Sequence, residues 1–180
     1  YLGLEALIKE YDLDFVGNKC QTDLSDGYTT TCLAHMLLNG TVDHKGLKKA
    51  TVHCCESDAD GALTMEILHL ISGGLPTGLL DVRYYHENGS LALANCGAMA
   101  SDFYGEDAPL SGAKAVPHAF GKAGACAYTG FVRPGTYTLA RLCRRDGQYW
   151  MAIVKSESVK AENNELADVT YQFPKGLFFV

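Results

Sequence analysis

Between His53 and Asp81 an apolar run, an acidic residue, an amphipathic segment, a Gly-Gly-x-Pro break, a second apolar run and a second acidic residue follow one another. The first run is His53 to Cys55, with Glu56 after it; the second is Gly78 to Leu80, with Asp81 after it. The segment between them, Ala59 to Ser72, sets Leu63, Ile67, Leu70 and Ile71 on one helical face. It stops at Gly73-Gly74 and Pro76, residues that end helices. This order predicts strand, carboxylate, helix, strand, carboxylate. Repeated units of that kind close a parallel sheet through right-handed crossovers, and sites in such sheets are built at strand ends. Two carboxylates facing one crevice could hold a hard divalent cation or work as an acid/base pair. Each alone could equally be a solvated strand-end acid or a helix cap.

The residues before this stretch alternate in the same way. Leu4, Leu7, Ile8 and Tyr11 share a helical face, and Leu13 to Gly17 reads as a strand. Thr29 to Leu38 carries Cys32, Leu33, Met36 and Leu37 at helical spacing and ends at Asn39-Gly40. Ala50 to Cys55 completes the next strand. From about Leu75 the helical period fades, and Gly, Ala and Ser become dense between Ser101 and Gly130. Ala125 to Val132, Thr136 to Arg144 and Gln148 to Lys155 then alternate as strands, with turns at Pro134-Gly135 and Asp146-Gly147. The expected class is α/β: the end of a Rossmann-like parallel-sheet domain over 1–75, then a mainly antiparallel β domain over 76–180, incomplete at its C-terminus.

Composition narrows the function classes. At 180 residues, 47% hydrophobic and 20% charged, the chain can bury a core and has the balance of a soluble globular protein. No apolar run approaches the roughly 20 residues of a membrane span. A formal charge of −6 argues against nucleic acid or an anionic membrane as partner. The start lacks an initiator Met, reads as the inside of a helix and is no signal peptide, so a piece of a longer chain is expected. The cysteine count is 7, with no Cys-x-x-Cys pair, which predicts reduced, buried thiols in the cytoplasm. Adjacent Cys54 and Cys55 would point to opposite faces of a strand, against a shared zinc site.

Other side chains carry two readings each. Gln21, Asp23 and Asp26 follow a strand, where they could read a sugar hydroxyl or form an ordinary loop or helix cap. Asp58 and Asp60 suit the helix N-terminus that follows Glu56. His86 could approach a metal from a polar loop, and His118, in Val116-Pro-His-Ala-Phe120, could border a site. His53 reads as a satisfied strand residue; His35, His44 and His69 read as structural or solvated. Arg141 suits a salt bridge, and Trp150 beside Tyr149 suits either the core or a platform for a sugar face. Gly121-Lys-Ala-Gly-Ala is no phosphate loop, because no helical pattern follows it.

Four stretches together resemble the C-terminal half of the L-fucose isomerase family, relatives of the L-arabinose isomerases. Val16-Gly-Asn-Lys-Cys20 with Leu24-Ser-Asp resembles the family's strand and loop at the sugar site. Cys55-Glu56-Ser-Asp-Ala-Asp-Gly-Ala-Leu-Thr-Met65 resembles its Cys-Glu-x-Asp-x-x-x-Ala-Leu-x-Met segment. Pro76-Thr-Gly-Leu-Leu-Asp81 resembles its Pro-Thr-x-Leu-Leu-Asp, and Thr138-Leu-Ala-Arg141 its Thr-x-Ala-Arg strand.

The resemblance implies metal-dependent aldose–ketose isomerisation of a deoxy-hexose or pentose, with proton transfer between C1 and C2 through a cis-enediol. It implies Glu56 and Asp81 as both metal ligands and acid/base pair. Mn²⁺ is the implied ion, with Mg²⁺ or Co²⁺ as possible substitutes. Gln21, Asp23, Asn95 and His118 are the implied substrate contacts, and a homo-oligomer with shared sites is the implied assembly. Two departures stand beside it. The family's third ligand is a His well downstream of the Thr-x-Ala-Arg strand, and no such segment precedes Val180. Where many relatives place a His next to a Cys, this chain has Asn95-Cys96. These departures keep open a second reading, a carbohydrate-binding or regulatory homologue without turnover.

Overall fold

A computed structural model of the chain describes residues 1–104, 114–161, 166 and 174–180. Part of the Gly-, Ala- and Ser-rich stretch 101–130 lies outside the described residues. Helix α1 (Leu2–Glu10) leads to strand β1 (Phe15–Gly17), followed by helices α2 (Asp23–Gly27) and α3 (Cys32–Asn39). A small hairpin of β2 (Val42–Asp43) and β3 (Gly46–Leu47) comes next, then β4 (Val52–Cys54) and helix α4 (Ala59–Ile71). β1 and β4 pair in parallel, Phe15 opposite Val52 and Gly17 opposite Cys54. Asn39 ties α3 to this pair: its amide donates to the His53 carbonyl and accepts from the His53 N–H, both at 2.8 Å. Helix α4 begins at Asp58, whose carboxylate accepts from the Gly61 N–H at 2.8 Å. Its inner face lays Ala62 and Met65 on Val52 and Cys54, joined by Phe15 and Leu79.

The remaining strands are β5 (Asp81–Tyr85), β6 (Ser90–Ala94), β7 (Lys114–Pro117), β8 (Cys126–Thr129), β9 (Gly135–Arg145), β10 (Gln148–Val159) and β11 (Lys175–Phe179). Five form one antiparallel sheet in the order β5-β6-β11-β10-β9, while β7 and β8 pair by themselves. Asp146 and Gly147 turn β9 into β10 with positive φ at both residues, 52° and 73°, the backbone a two-residue hairpin favours.

Two expectations about strands are corrected. Gly78 to Leu80 forms no strand; β5 starts at Asp81 itself and runs antiparallel to β6. The Leu79 carbonyl is taken by the Asn95 side chain at 3.0 Å, and Leu79 and Leu80 pack against two apolar clusters, so this peptide is an irregular connection held on the core. Nor does the segment 125–132 run into a hairpin with β9. Its second half bonds to the start of β11, with Val132 N–H donating to Lys175 O at 2.8 Å and Lys175 N–H to Gly130 O at 3.0 Å. Those groups are then unavailable to β9, and β8 pairs with β7 instead.

Helix α4 also packs on β9. The buried Leu142 N–H donates to Thr64 Oγ1 at 2.9 Å, Arg141 grips the Asp58 carboxylate, and Arg144 lies 3.0 Å from Asp60. Cys32 and Cys55 share a core cluster with Ala92, Ala94, Cys96, Ala127 and Leu177, so residues on both sides of position 75 bury each other. The chain is a mixed α/β protein in which, among the described residues, β1 and β4 pair in parallel and a single parallel bridge joins Phe131 to Lys175. No described helix is long and apolar enough to cross a membrane.

Candidate functional site

A cavity of about 570 Å³ opens where the loop after β1, the turn after β4 and the start of β5 meet. Gln21, Asp26, Glu56, Asp81, Arg83 and Cys96 are among its walls. Its size falls in the range of small-molecule sites. The backbone that presents Glu56 is unusual. A single 3₁₀ turn, Cys55–Ser57, separates β4 from the Asp58 cap, and Glu56 and Ser57 both have positive φ, 63° and 52°. Non-glycine residues in this region cost about 1–3 kcal/mol each and cluster at functional sites. The turn persists because Asp58 is fixed twice, by α4 and by Arg141 on β9. Glu56 itself is exposed to the cavity.

Asp81 enters from the first residue of β5. Desolvation raises the pKa of its carboxyl; Arg83, with Nη2 at 3.1 Å from Oδ2, pulls the other way, and the nearby Cys96 sulfur adds to the rise. Asp26 is held below its ordinary value, chiefly by the Lys122 N–H, and Lys122 Nζ lies 3.2 Å from its carboxylate. The oxygen-bearing side chains of Gln21, Asp26, Glu56 and Asp81 thus share one opening.

Beneath this opening lies a sulfur-rich group. Cys32 Sγ is 3.8 Å from Cys96 Sγ and 3.1 Å from His118 Nε2, and Cys55 Sγ is 3.9 Å from Cys96 Sγ. Cys20 adjoins Cys32, whose thiol hydrogen bond lowers the Cys20 thiol to about 6. The group favours thiolate at Cys96, which receives hydrogen bonds from the Cys32 and Cys55 thiols and lies by His118; those two thiols are correspondingly pushed up. Burial disfavours the His118 cation, but hydrogen bonds to Cys96 and to the Phe120 carbonyl outweigh it and raise the net value. All 7 cysteines are free.

The implied site residues therefore separate. Gln21, Glu56 and Asp81 line the cavity together. Asp23 is exposed on α2 and is not among its walls. Asn95 is 2% exposed and its amide is spent on backbone: Oδ1 accepts from Gly97 and Ala98 N–H at 3.0 and 2.6 Å, and Nδ2 donates to Leu79 O. His118 belongs to the sulfur group rather than to the cavity wall. His86 packs its ring on Tyr84 at 4.8 Å, outside the cavity. Trp150 and Tyr149 are exposed at the tip of the β9–β10 hairpin.

Sequence reasoning missed the sulfur group. Cys55 has left the strand and stands in the 3₁₀ turn, so the strand-face argument about Cys54 and Cys55 does not govern it. Its partner Cys96 is 41 positions away, and no spacing rule links them. His53 also differs from expectation: it is 1% exposed, and neither ring nitrogen has a hydrogen-bond partner among the described residues. Its ring lies 3.8 Å from that of His35, and burial lowers its pKa to about 4.

No family model matches this chain, and no curated protein matches it.

Proposed function

We propose that this protein is a metal-dependent aldose–ketose isomerase of the L-fucose isomerase type, acting on a deoxy-hexose or pentose. The observation that carries the reading is the meeting of Glu56 and Asp81, the two residues the resemblance implies, in one cavity of small-molecule size. On this reading residues 1–75 are the end of a Rossmann-like domain, and the protein is a cytoplasmic homo-oligomer.

The donor set suits a hard divalent ion such as Mn²⁺. Glu56 and Asp81 offer carboxylates, Gln21 an amide oxygen, and desolvated Asp81 lacks enough positive charge nearby to offset its burial. Glu56 and Asp81 would hold the ion; bound there, it polarises the sugar oxygens and stabilises negative charge as a proton moves. Glu56 takes the proton from one carbon. Asp81, on the same cavity, is the group placed to return one to the next. Gln21 and Asp26 orient the hydroxyl groups from the facing wall.

A second reading rests on Asn95. Its amide is committed to the backbone and offers no ligand, which favours a homologue that binds sugar without turning it over. The test is Mn²⁺-dependent ketose formation from L-fucose, D-arabinose and L-arabinose. Turnover that a chelator abolishes, Mn²⁺ restores and Glu56→Gln removes is the expected result. Turnover indifferent to chelation contradicts the isomerase reading. Sugar binding with no ketose selects the second one.

A further inference from the structure

We infer that Cys32, Cys96 and His118 form a binding site for a borderline-soft divalent ion, zinc foremost, beneath the carboxylate cavity. The inference is independent of the isomerase reading and uses neither Glu56 nor Asp81.

Three elements remote in sequence bring these atoms together. Cys32 opens α3, Cys96 follows β6, and His118 follows β7, with separations of 64 and 86 positions from Cys32. Their ligand atoms all lie within 4.8 Å of one another. Zinc–sulfur bonds of about 2.3 Å require sulfur–sulfur edges of about 3.8 Å in a tetrahedron. The Cys32–Cys96 separation is 3.8 Å, without any adjustment. The His118 nitrogen, at 3.1 Å from Cys32 Sγ, need only withdraw by a few tenths of an ångström, on the rim of a half-buried loop.

The second layer fits as well. His118 Nδ1 makes a short hydrogen bond to the Phe120 carbonyl, an acceptor that requires the proton on Nδ1; the longer approach of the Phe120 N–H, at 3.2 Å, is not a bond in that tautomer. With Nδ1–H donating to the carbonyl, the Nε2 lone pair faces the sulfurs. Metal-ligating histidines are ordinarily oriented in this way. Charge points in the same direction. Two thiolates and a neutral imidazole neutralise a divalent cation, so Cys32 and Cys96, 0% and 6% exposed, would hold it without leaving net charge buried. Thiolate donors select zinc over manganese or magnesium. Cys96 also lines the cavity, which supplies a route from solvent and leaves the fourth corner to water or to a molecule in the cavity. Each thiol gives up its proton as the metal binds, so affinity falls as pH falls.

The test uses the whole protein with zinc and cobalt as probes. One equivalent of zinc should survive dialysis. Cobalt in its place should give the sulfur-to-metal charge-transfer band and strong visible bands of a tetrahedral thiolate site. Cys32→Ser, Cys96→Ser and His118→Ala should each lose the stoichiometric metal, while Cys143→Ser, altering an exposed thiol, should keep it. If the variants misfold, X-ray absorption on the zinc-loaded wild type decides: a shell of two sulfurs with nitrogen or oxygen supports the site. An all-oxygen or all-nitrogen shell, no retained zinc, or a Cys32–Cys96 disulfide in freshly isolated protein would overturn it.

Discussion

The cavity mouth and the interior just beneath it are built from opposite chemistry. The mouth is open and rich in oxygen: Glu56 and Gln21 on turns, Asp26 on α2 and Asp81 at the start of β5, with Arg83 and Lys122 paired to two of the acids. The interior is closed and rich in sulfur and imidazole, with Cys20, Cys32, Cys55 and Cys96 buried, His118 half-buried, and the buried rings of His35 and His53 in tilted contact. Cys96 touches both. Oxygen donors that keep water suit hard cations and proton exchange with solvent, whereas buried sulfur and imidazole suit softer ions and tight packing. The mouth should therefore govern turnover and the interior should govern stability.

The largest expected effect tests the first half of that contrast. Glu56→Gln and Asp81→Asn should each lower turnover by about 10²–10⁴-fold, the usual span for a positioned acid or base, while leaving thermal stability nearly unchanged. A large loss of stability with intact turnover would invert the assignment.

The interior answers to acid. The His53 pKa is depressed by burial, so its contribution to stability is whole above the unfolded value of about 6.5 and is lost as pH falls through its folded value of about 4. Urea titrations across that window should show stability declining by roughly 3 kcal/mol from this ring. His53→Leu should flatten the decline; an unchanged slope would mean the ring is solvated.

Between the two regions, Thr64→Val strands the buried Leu142 N–H and should cost about 1–3 kcal/mol in the same urea assay. Asp58→Ala removes the α4 cap and the Arg141 partner; about 1 kcal/mol is expected from the cap. That substitution also frees the Glu56 turn, so turnover should drop with it.

The smallest effect has a distinctive sign. Because the Asp81 carboxyl is raised in the folded protein, its ionisation opposes folding as pH climbs from about 3.9 through the raised value. Asp81→Asn should be at least as stable as wild type at neutral pH and equal to it in acid. A loss at neutral pH would mean that Arg83 outweighs desolvation.

The acids of the mouth were legible because the stretch from His53 to Asp81 is local. Strand β4, the Asp58 cap, helix α4 and the Asp146-Gly147 hairpin all follow from neighbouring residues. What was not legible depends on contacts between distant segments. The antiparallel direction of β5 is set by β6, and the pairing of β8 by the claim of β11 on Gly130 and Val132. The sulfur group needs the ends of β6 and β7 to fold over α3, and no spacing in the chain encodes that. The resemblance implied a sugar contact at Asn95, where many relatives have a His, yet its amide closes a turn, a use that its residue type permits and its sequence neighbours do not announce.

The central claim is that Glu56 and Asp81 jointly create a site for a hard cation. The most direct measurement is a Mn²⁺ titration followed by electron paramagnetic resonance, comparing wild type with Glu56→Gln, Asp81→Asn and Cys96→Ser. Wild type and Cys96→Ser should take up Mn²⁺ while both carboxamide variants lose it. Equal Mn²⁺ uptake by wild type and the carboxamide variants would contradict that claim.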